Sequence, residues 1–232
     1  MTTNWAVAAA IALIFSSSIA TGNDIYISNI GDDLELNITQ DGENNTIANA
    51  GSNPSTLNGD RNELLIKQKN TGQTSIGGTI SFDVTGNDND IELGQGFNGV
   101  GLVSTDTTES GAKTIDLDVV GNNNAVHVGQ RNGSLGAFHS HEAVVDINGN
   151  NNNVYSEQSL DGKKTLSIEL TGNGHNVITD QRHTGAHTST IDLTNGGGAY
   201  SLSVMQNSSS PRSYTLTGTC YIANGCSTTV TQ

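Results

Sequence analysis

The chain contains few large side chains, and this scarcity limits the folds that it can adopt. Aromatic residues make up only 4% of its 232 residues, and there are two prolines and two cysteines. A sequence so poor in bulky residues cannot fill a thick globular core. Two outcomes remain, namely disorder or a thin fold whose interior is one or two apolar side chains deep.

Basic residues are also scarce, which excludes one class of partner. Nine Lys and Arg stand against 23 Asp and Glu, so the formal net charge is −14. Without a basic stripe the chain cannot displace counterions from phosphates, and we expect no nucleic-acid partner. The same charge argues against adhesion to anionic membranes, and we interpret it as a solvated acidic surface.

Residues 1–20 differ in composition from the rest of the sequence. The apolar run from Trp5 to Phe15 is shorter than a membrane span and is followed by small residues at Ser18 and Ala20. This pattern is typical of a secretory signal peptide that is removed by cleavage. We therefore expect an exported protein whose mature chain does not insert into a membrane, with an uncleaved N-terminal anchor as the alternative.

A ten-residue phrase, Gly-x-x-Asn-x-Ψ-x-Ψ-x-Gln with Ψ apolar, recurs along the remaining sequence. Its clearest copies are Gly86–Gln95, Gly121–Gln130, Gly149–Gln158 and Gly172–Gln181, and looser copies lie at Gly42–Gly51, Gly59–Gln68, Gly197–Gln206 and Ala223–Gln232. Recurrence at a spacing of about 17 to 35 residues is typical of a solenoid, in which each repeat buries its apolar face against its neighbours.

A second alternating segment precedes each clear copy. Apolar residues stand two, four and six positions before the glycine, as Val84, Phe82 and Ile80 do before Gly86. A period of two indicates a half-buried strand, and disordered polar sequence does not keep such parity. We therefore predict an all-β, single-domain β-solenoid of about eight strand-turn-strand repeats over residues 34–232, stacked in a rod and preceded by an N-terminal segment at 21–33.

The parity of the second strand gives each recurring position a role. The pairs Ile91 with Leu93 and Val126 with Val128 are predicted to fill the core. The Asn and Gln of the phrase share that face, so we predict that they point inward and pair with equivalent residues of neighbouring coils. The alternative is that the Asn only favour the turn. The predicted inward polar residues are Asn45, Asn62, Asn89, Asn124, Asn152, Gln68, Gln95, Gln130, Gln158, Gln181 and Gln206, and the predicted turn residues are Gly42, Gly86, Gly121, Gly149 and Gly172.

The two cysteines, Cys220 and Cys226, stand six residues apart in the last repeat. In an oxidising compartment a disulfide is favoured over a metal site, which would need more ligands. We expect this bond to hold the C-terminal coil against fraying.

The segment Leu34–Ile47 reads LELNITQDGENNTI, in which Gln40 precedes a turn at Gly42 and Asn45 follows it. Two strands joined around a glycine-rich turn, with internal Gln and Asn at such positions, resemble the repeats of the curlin family, the secreted subunits of bacterial curli amyloid fibres. In later units an aliphatic residue, such as Val84 or Val119, takes the slot of that first-strand Gln. The resemblance implies a fibre subunit of an extracellular, biofilm-supporting matrix, with a nucleating homologue and an outer-membrane secretion channel as partners.

The sequence favours a structural protein that assembles with itself, uses no cofactor and is not an enzyme. Unpaired strand edges at the two ends of a solenoid can template the addition of another copy. Acidic outward faces would oppose lateral contacts and leave growth along the axis. No nucleophile elbow, phosphate loop or pair of catalytic carboxylates is visible in the sequence.

Other readings of the sequence remain open. Gly86–Asp90 resembles the turn of a calcium-binding β-roll, although the equivalent turns of the other repeats lack carboxylates. A secreted solenoid adhesin that forms no fibre is a further alternative. The chain has six histidines, and His139 and His141 are the nearest pair, which suggests a metal site. We nevertheless expect the histidines mostly in outward or loop positions.

Overall fold

The fold is a stack of parallel strands in two sheets. A computed structural model describes residues 12–15, 23–42, 45–48, 54–70, 78–96, 113–131, 140–160, 162–193, 198–222 and 225–232. Within these ranges the regular secondary structure consists of β-strands, without a helix. Among the described residues there is accordingly no helix long and apolar enough to span a membrane.

Sheet 1 contains nine strands, in the spatial order β1 (Ala12–Phe15), β4 (Glu35–Gly42), β7 (Glu63–Asn70), β9 (Asp90–Gln95), β11 (Ala125–Arg131), β13 (Asn153–Ser159), β15 (Asn176–Arg182), β17 (Tyr200–Asn207) and β19 (Cys226–Thr231). Sheet 2 contains ten strands, namely β18 (Arg212–Thr215), β16 (His187–Thr190), β14 (Lys164–Thr165), β12 (His141–Glu142), β10 (Lys113–Val120), β8 (Thr79–Thr85), β5 (Thr46–Ile47) and β2 (Asp24–Ile25) on one path, with β6 (Ser55–Asn58) and β3 (Ile27–Ile30) beside it.

The chain alternates between the two sheets, so each coil gives one strand to each sheet and pairs in parallel with the coils before and after it. The predicted all-β solenoid is confirmed. The stack has about six turns, a small difference from the eight repeats predicted. Within the segment 21–33, β2 and β3 already join sheet 2.

The core lies between the two sheets, and each sheet contributes one layer of apolar side chains to it. The register aligns Ile91 with Val126 and Leu93 with Val128 in sheet 1, and all four are at most 3% exposed. Phe82 and Leu117 are neighbours in sheet 2 and equally buried. Each such side chain contributes on the order of 1.5 to 3 kcal/mol by leaving water, so the period-two pattern is what holds the coils together.

The turn glycines stack directly on one another. A Cβ at Gly86 would collide with the carbonyl oxygen of Gly121, and a Cβ at Gly121 with that of Gly149. Gly86 and Gly121 also have φ values of 142° and 144°, which L side chains rarely adopt. Glycine is therefore required at these turns by both backbone conformation and close approach.

The first repeat begins earlier than the sequence pattern suggested, and the turn predicted at Gly42 is wrong. Strand β4 pairs with β7 so that Glu35 lies beside Glu63 and Gln40 beside Gln68. Gly31 then stacks on Gly59 as the turn residue, while Gly42 ends β4. The true first copy of the phrase is Gly31–Gln40. The pattern search missed it because Leu34 stands where the phrase has Asn.

Sheet 2 is irregular in its middle, where regular strands were predicted before Gly149 and Gly172. Only His141–Glu142 and Lys164–Thr165 form strand there, although Val145 and Ile147 remain buried as predicted. Val144 and Asp146 have positive φ values of 67° and 50°, which rotate alternate peptide planes and interrupt the ladder.

Most of the predicted signal peptide lies outside the described residues. Its segment Ala12–Phe15 is the exception, since it forms β1 and pairs in parallel with β4. Strand β1 is thus the outermost strand of sheet 1 at the N-terminal end of the stack.

Candidate functional site

Eight glutamines form a continuous column on the inward face of sheet 1. The Nε2 of each of the first seven glutamines donates to the Oε1 of the glutamine in the next strand of sheet 1, at 2.8 to 3.2 Å. The column runs through Gln40, Gln68, Gln95, Gln130, Gln158, Gln181, Gln206 and Gln232. The six glutamines predicted to point inward are at most 1% exposed.

The glutamine column also joins the two sheets. The second Nε2 hydrogen of Gln130 goes to the backbone carbonyl of Thr114 in sheet 2 at 3.0 Å, and that of Gln158 goes to the carbonyl of Glu142 at 3.0 Å. Each carboxamide therefore ties its coil to the next one and closes the edge of the core. Because every described donor points the same way, the column is polar, and the Oε1 of Gln40 is left buried without a hydrogen-bond partner.

Four asparagines form a second buried column beside the turn. Asn89 Nδ2 donates to Asn62 Oδ1 at 3.0 Å, and Asn124 and Asn152 continue the column at 3.1 Å each. The same Nδ2 group also bonds the carbonyl of the turn glycine in the next coil, as Asn89 does with Gly121 at 3.0 Å. Both roles considered from the sequence, the ladder and the turn, are thus performed by one side chain.

The asparagine column ends in two substitutions. The backbone N–H of His175 donates to Asn152 Oδ1 at 2.9 Å, and the N–H of Tyr200 donates to His175 Nδ1 at 3.1 Å. His175 is 2% exposed, and burial lowers its pKa more than its contact with the Thr171 backbone raises it. The imidazole therefore occupies the asparagine slot as a neutral acceptor.

Asn45 lies in a different column from the one predicted. It is buried, but it precedes β5 in sheet 2, where its N–H donates to Asn23 Oδ1 at 2.9 Å. Its own Oδ1 accepts from the N–H of Gly78 at 3.4 Å. The prediction that it points inward is confirmed, but it does not join the column of Asn62, because β4 pairs with β7 through Gly31 as the turn residue.

A third polar column was missed by the sequence analysis. The residue after each turn glycine accepts from the backbone N–H of the equivalent residue in the preceding coil, at 2.8 to 3.0 Å. Its members are Asp32, Asp60, Asn87, Asn122, Asn150 and Asn173. The signal was present in the sequence, since each of these glycines is followed by Asp or Asn.

Basic side chains form a fourth inward column at the start of the sheet 2 strands. The register aligns Lys113, His141, Lys164 and His187, and each is at most 2% exposed. Lys164 Nζ donates to the carbonyl oxygens of Gly162, His183 and Gly185 at 2.9 to 3.0 Å. These contacts give the buried ammonium three backbone carbonyl acceptors.

The expectation that the histidines lie in outward or loop positions is wrong for three of them. His141, His175 and His187 are buried on the inward face, because they occupy inward positions of the repeat. His139 lies outside the described residues. Within the described part of the chain no three His, Cys, Asp or Glu side chains gather in a geometry that could hold a metal ion.

Carboxylates line the outer face of sheet 2, as the parity predicted. Asp83 and Asp118 are neighbours in the register, and Asp146 follows in the next coil. Partial burial, and then the charges of Asp116, Asp83 and Asp146, raise the pKa of Asp118. This face is therefore acidic along the stack.

The turn that resembled a calcium site is closed by an ion pair. Arg61 Nε and Nη2 each bond the carboxylate of Asp88 in the next coil at 2.6 Å. Asn89, the next residue, belongs to the buried asparagine column. The residues that suggested calcium binding are thus engaged in contacts between coils.

The predicted disulfide is present between Cys220 and Cys226. It closes a short loop that precedes β19 and presents Tyr221 and Ile222, which are 82% and 61% exposed.

No family model, curated protein or solved structure matches this chain.

Proposed function

We propose that this protein is a secreted structural subunit of a curli-like extracellular amyloid fibre, which grows by end-to-end stacking of solenoid coils. A β-solenoid fits a repeat structural or adhesin-like protein, and the fibre is the more specific proposal. The observation that carries it is the glutamine column, in which a single chain already contains the in-register, hydrogen-bonded carboxamide ladder of cross-β structure.

The C-terminal strand supports stacking. Strand β19 pairs with β17 on one side and has no partner on the other among the described strands. Gln232 N–H points back to Met205 O, so the N–H groups of Ser227, Thr229 and Thr231 point away from the stack. These N–H groups are free to donate to the carbonyl groups of another parallel strand.

The N-terminal edge supports the same proposal. The Gln40 carboxamide ends the column with an unpaired acceptor, and β1 covers the edge of β4. Strand β1 falls within the predicted signal peptide, so its removal on export would open this edge to another copy. In this arrangement an extracellular nucleating homologue and an outer-membrane channel are the partners that the curlin resemblance implies.

The acidic face of sheet 2 supports axial over lateral growth. The in-register carboxylates of Asp83, Asp118 and Asp146 would meet like charges if two rods packed side by side. The Debye screening length is about 10 Å at ~0.1 M salt, so added salt weakens this repulsion. Fibres should therefore be thin at low salt and bundle as salt is added.

The test uses residues 21–232, incubated at micromolar concentration and followed by thioflavin fluorescence and negative-stain microscopy. We expect unbranched fibres. The diagnostic variant is Thr229→Pro, because its N–H faces the open edge and its loss breaks no ladder bond within the chain. Thr229→Val is the matched control, since it keeps the N–H and the exposed position.

The outcomes separate the candidates. Fibres that form with Thr229→Val and fail with Thr229→Pro, while both monomers keep the same circular dichroism, support growth through β19. A wild-type chain that stays a folded monomer for days overturns the fibre proposal and favours a secreted solenoid adhesin.

A further inference from the structure

Three side chains on the outer face of sheet 1 form a charged cluster that none of the polar columns includes. His127 Nδ1 lies 2.9 Å from Glu92 Oε2, and His127 Nε2 lies 2.9 Å from Glu157 Oε1. The three residues come from β9, β11 and β13, which are consecutive strands of the sheet. One imidazole therefore bridges three coils.

The cluster is unusually well enclosed for an outward position. The His127 and Glu157 side chains are each 10% exposed. Tyr155, the sheet neighbour of His127, stacks on the imidazole with ring centroids 4.6 Å apart and planes 9° from parallel. Its hydroxyl also donates to Glu157 Oε1 at 3.4 Å. The ring is thus held in plane between its two carboxylates.

A glycine makes this geometry possible. A Cβ at Gly129 would lie 2.7 Å from both carboxylate oxygens of Glu157. Without a side chain at position 129, the Glu157 carboxylate folds over β11 and reaches His127 instead of extending into water. The position of the Glu157 carboxylate is therefore set by its packing over Gly129 as well as by its contact with His127.

The neighbouring described groups add mainly negative charge. Strand β9 contributes Glu92 and Asp90, β13 contributes Glu157 and Tyr155, and β15 contributes Asp180, which is paired with Arg182 at 2.7 Å. A neutral imidazole can donate from one ring nitrogen only, which would leave the other nitrogen facing a carboxylate without a proton. An imidazolium donates to both carboxylates.

We propose that Glu92, His127 and Glu157 form a pH-responsive clasp, which ties three consecutive coils together when the imidazole carries both protons and loosens when it loses one. The clasp acts on the stability of the middle of the solenoid and does not depend on fibre formation. The positive charge of the imidazolium offsets the charge of one carboxylate. When the ring loses a proton, the charges of Glu92 and Glu157 are no longer offset and repel each other.

The direction of the pH effect follows from the balance at the ring. Burial lowers the pKa of His127, but the hydrogen bonds and charges of Glu157 and Glu92 outweigh it, and the net pKa is raised. A raised pKa in the folded state gives stability that is complete below the unfolded value of about 6.5 and is lost as the pH rises through the folded value. The clasp is therefore closed below about pH 6.5 and opens as the pH rises through the raised folded-state pKa of His127.

The direct test is an NMR titration of the soluble chain labelled with ¹⁵N-histidine, with the His127 signals assigned from His127→Gln. We expect the titration midpoint of the His127 ring to lie above about 6.5, with both ring nitrogens protonated below it, and to fall in Glu157→Gln. A midpoint at or below the ordinary value, or one that Glu157→Gln leaves unchanged, overturns the proposal.

A second measurement follows the denaturant midpoint at about pH 6 and about pH 9. Between these two pH values, the denaturant midpoint should fall further in the wild type than in His127→Gln. His183→Gln is the matched control, because His183 is exposed and lies outside the cluster, and it should behave as wild type. Equal pH dependence in wild type and His127→Gln would contradict the clasp.

Discussion

Gln130 donates its side-chain Nε2 to Gln158 Oε1 at 2.8 Å, and this bond repeats in kind along the whole described stack. The same nitrogen bonds the carbonyl of Thr114, so one carboxamide holds two neighbouring coils and two sheets. A side chain with only one role could be replaced by an aliphatic residue of similar size. Here replacement would remove one hydrogen bond from each of three buried polar partners.

We therefore predict that Gln130→Leu destabilises the fold by about 2 to 4 kcal/mol, since Gln95, Gln158 and Thr114 would each lose a partner in the interior. Denaturant unfolding followed by circular dichroism measures this change. Asn153→Ala is the control, because Asn153 is an exposed asparagine of a neighbouring strand whose side chain, among the described residues, donates to Asn176 alone. Equal effects of the two substitutions would contradict the structural role of the column.

The in/out parity gives a second prediction. Ile91→Asp and Val126→Asp should prevent folding, because each would place an uncompensated carboxylate at a position that is at most 3% exposed. Expression in soluble form and the circular dichroism spectrum report the loss. Ile91→Val is the conservative control and should cost about 1 kcal/mol.

The outward carboxylates should respond in the opposite way. The raised pKa of Asp118 means that its charged form is disfavoured in the folded state, by partial burial first and then by Asp116, Asp83 and Asp146. Asp118→Asn should therefore raise the denaturant midpoint at neutral pH and leave it nearly unchanged in acid, where the carboxylate is protonated. A midpoint that falls at neutral pH would show that Asp118 makes a stabilising contact.

The period-two pattern predicted the solenoid and its core because inward and outward positions differ in every repeat. Ile91, Leu93, Val126 and Val128 are buried as the pattern required. The pattern could not place the first repeat, because Leu34 replaces the asparagine that marks the turn and Gly42 offers a false one. Register depends on which strands pair, and short phrases of similar composition do not determine that.

The buried cations were missed for a different reason. A lysine at an inward position reads as an error in a sequence pattern, because burial of an ammonium is costly without partners. Lys164 finds its partners in the carbonyls of Gly162, His183 and Gly185, which belong to irregular backbone. Such acceptors have no residue-type signature, so only the folded chain reveals them.

The burial of His175 predicts a loss of folding stability at acidic pH. Its Nδ1 accepts the N–H of Tyr200, so protonation would place two donors against each other in the asparagine column. Burial lowers its pKa, and a lowered histidine pKa gives stability that is complete above about 6.5 and is lost as the pH falls through the folded value. His175→Asn should restore the repeating asparagine and reduce this loss, as measured by melting temperature between about pH 7 and about pH 5. An unchanged acid dependence would assign the loss to other groups, such as His187, whose pKa burial also lowers.

The disulfide gives the last prediction, which concerns the C-terminal coil alone. Cys220 and Cys226 close a loop of six residues' separation, so the entropic stabilisation expected from the bond is small, about 2 kcal/mol. The Cys220→Ala/Cys226→Ala variant should unfold at a slightly lower temperature, and hydrogen exchange should rise in β19 while β9 and β11 keep their protection. Reducing agent is the control, since it should lower the melting temperature of the wild type and leave the variant unchanged. In a solenoid each coil is supported by its neighbours, so a loss that spread to β9 would mean that the stack unfolds as one unit and not from its end.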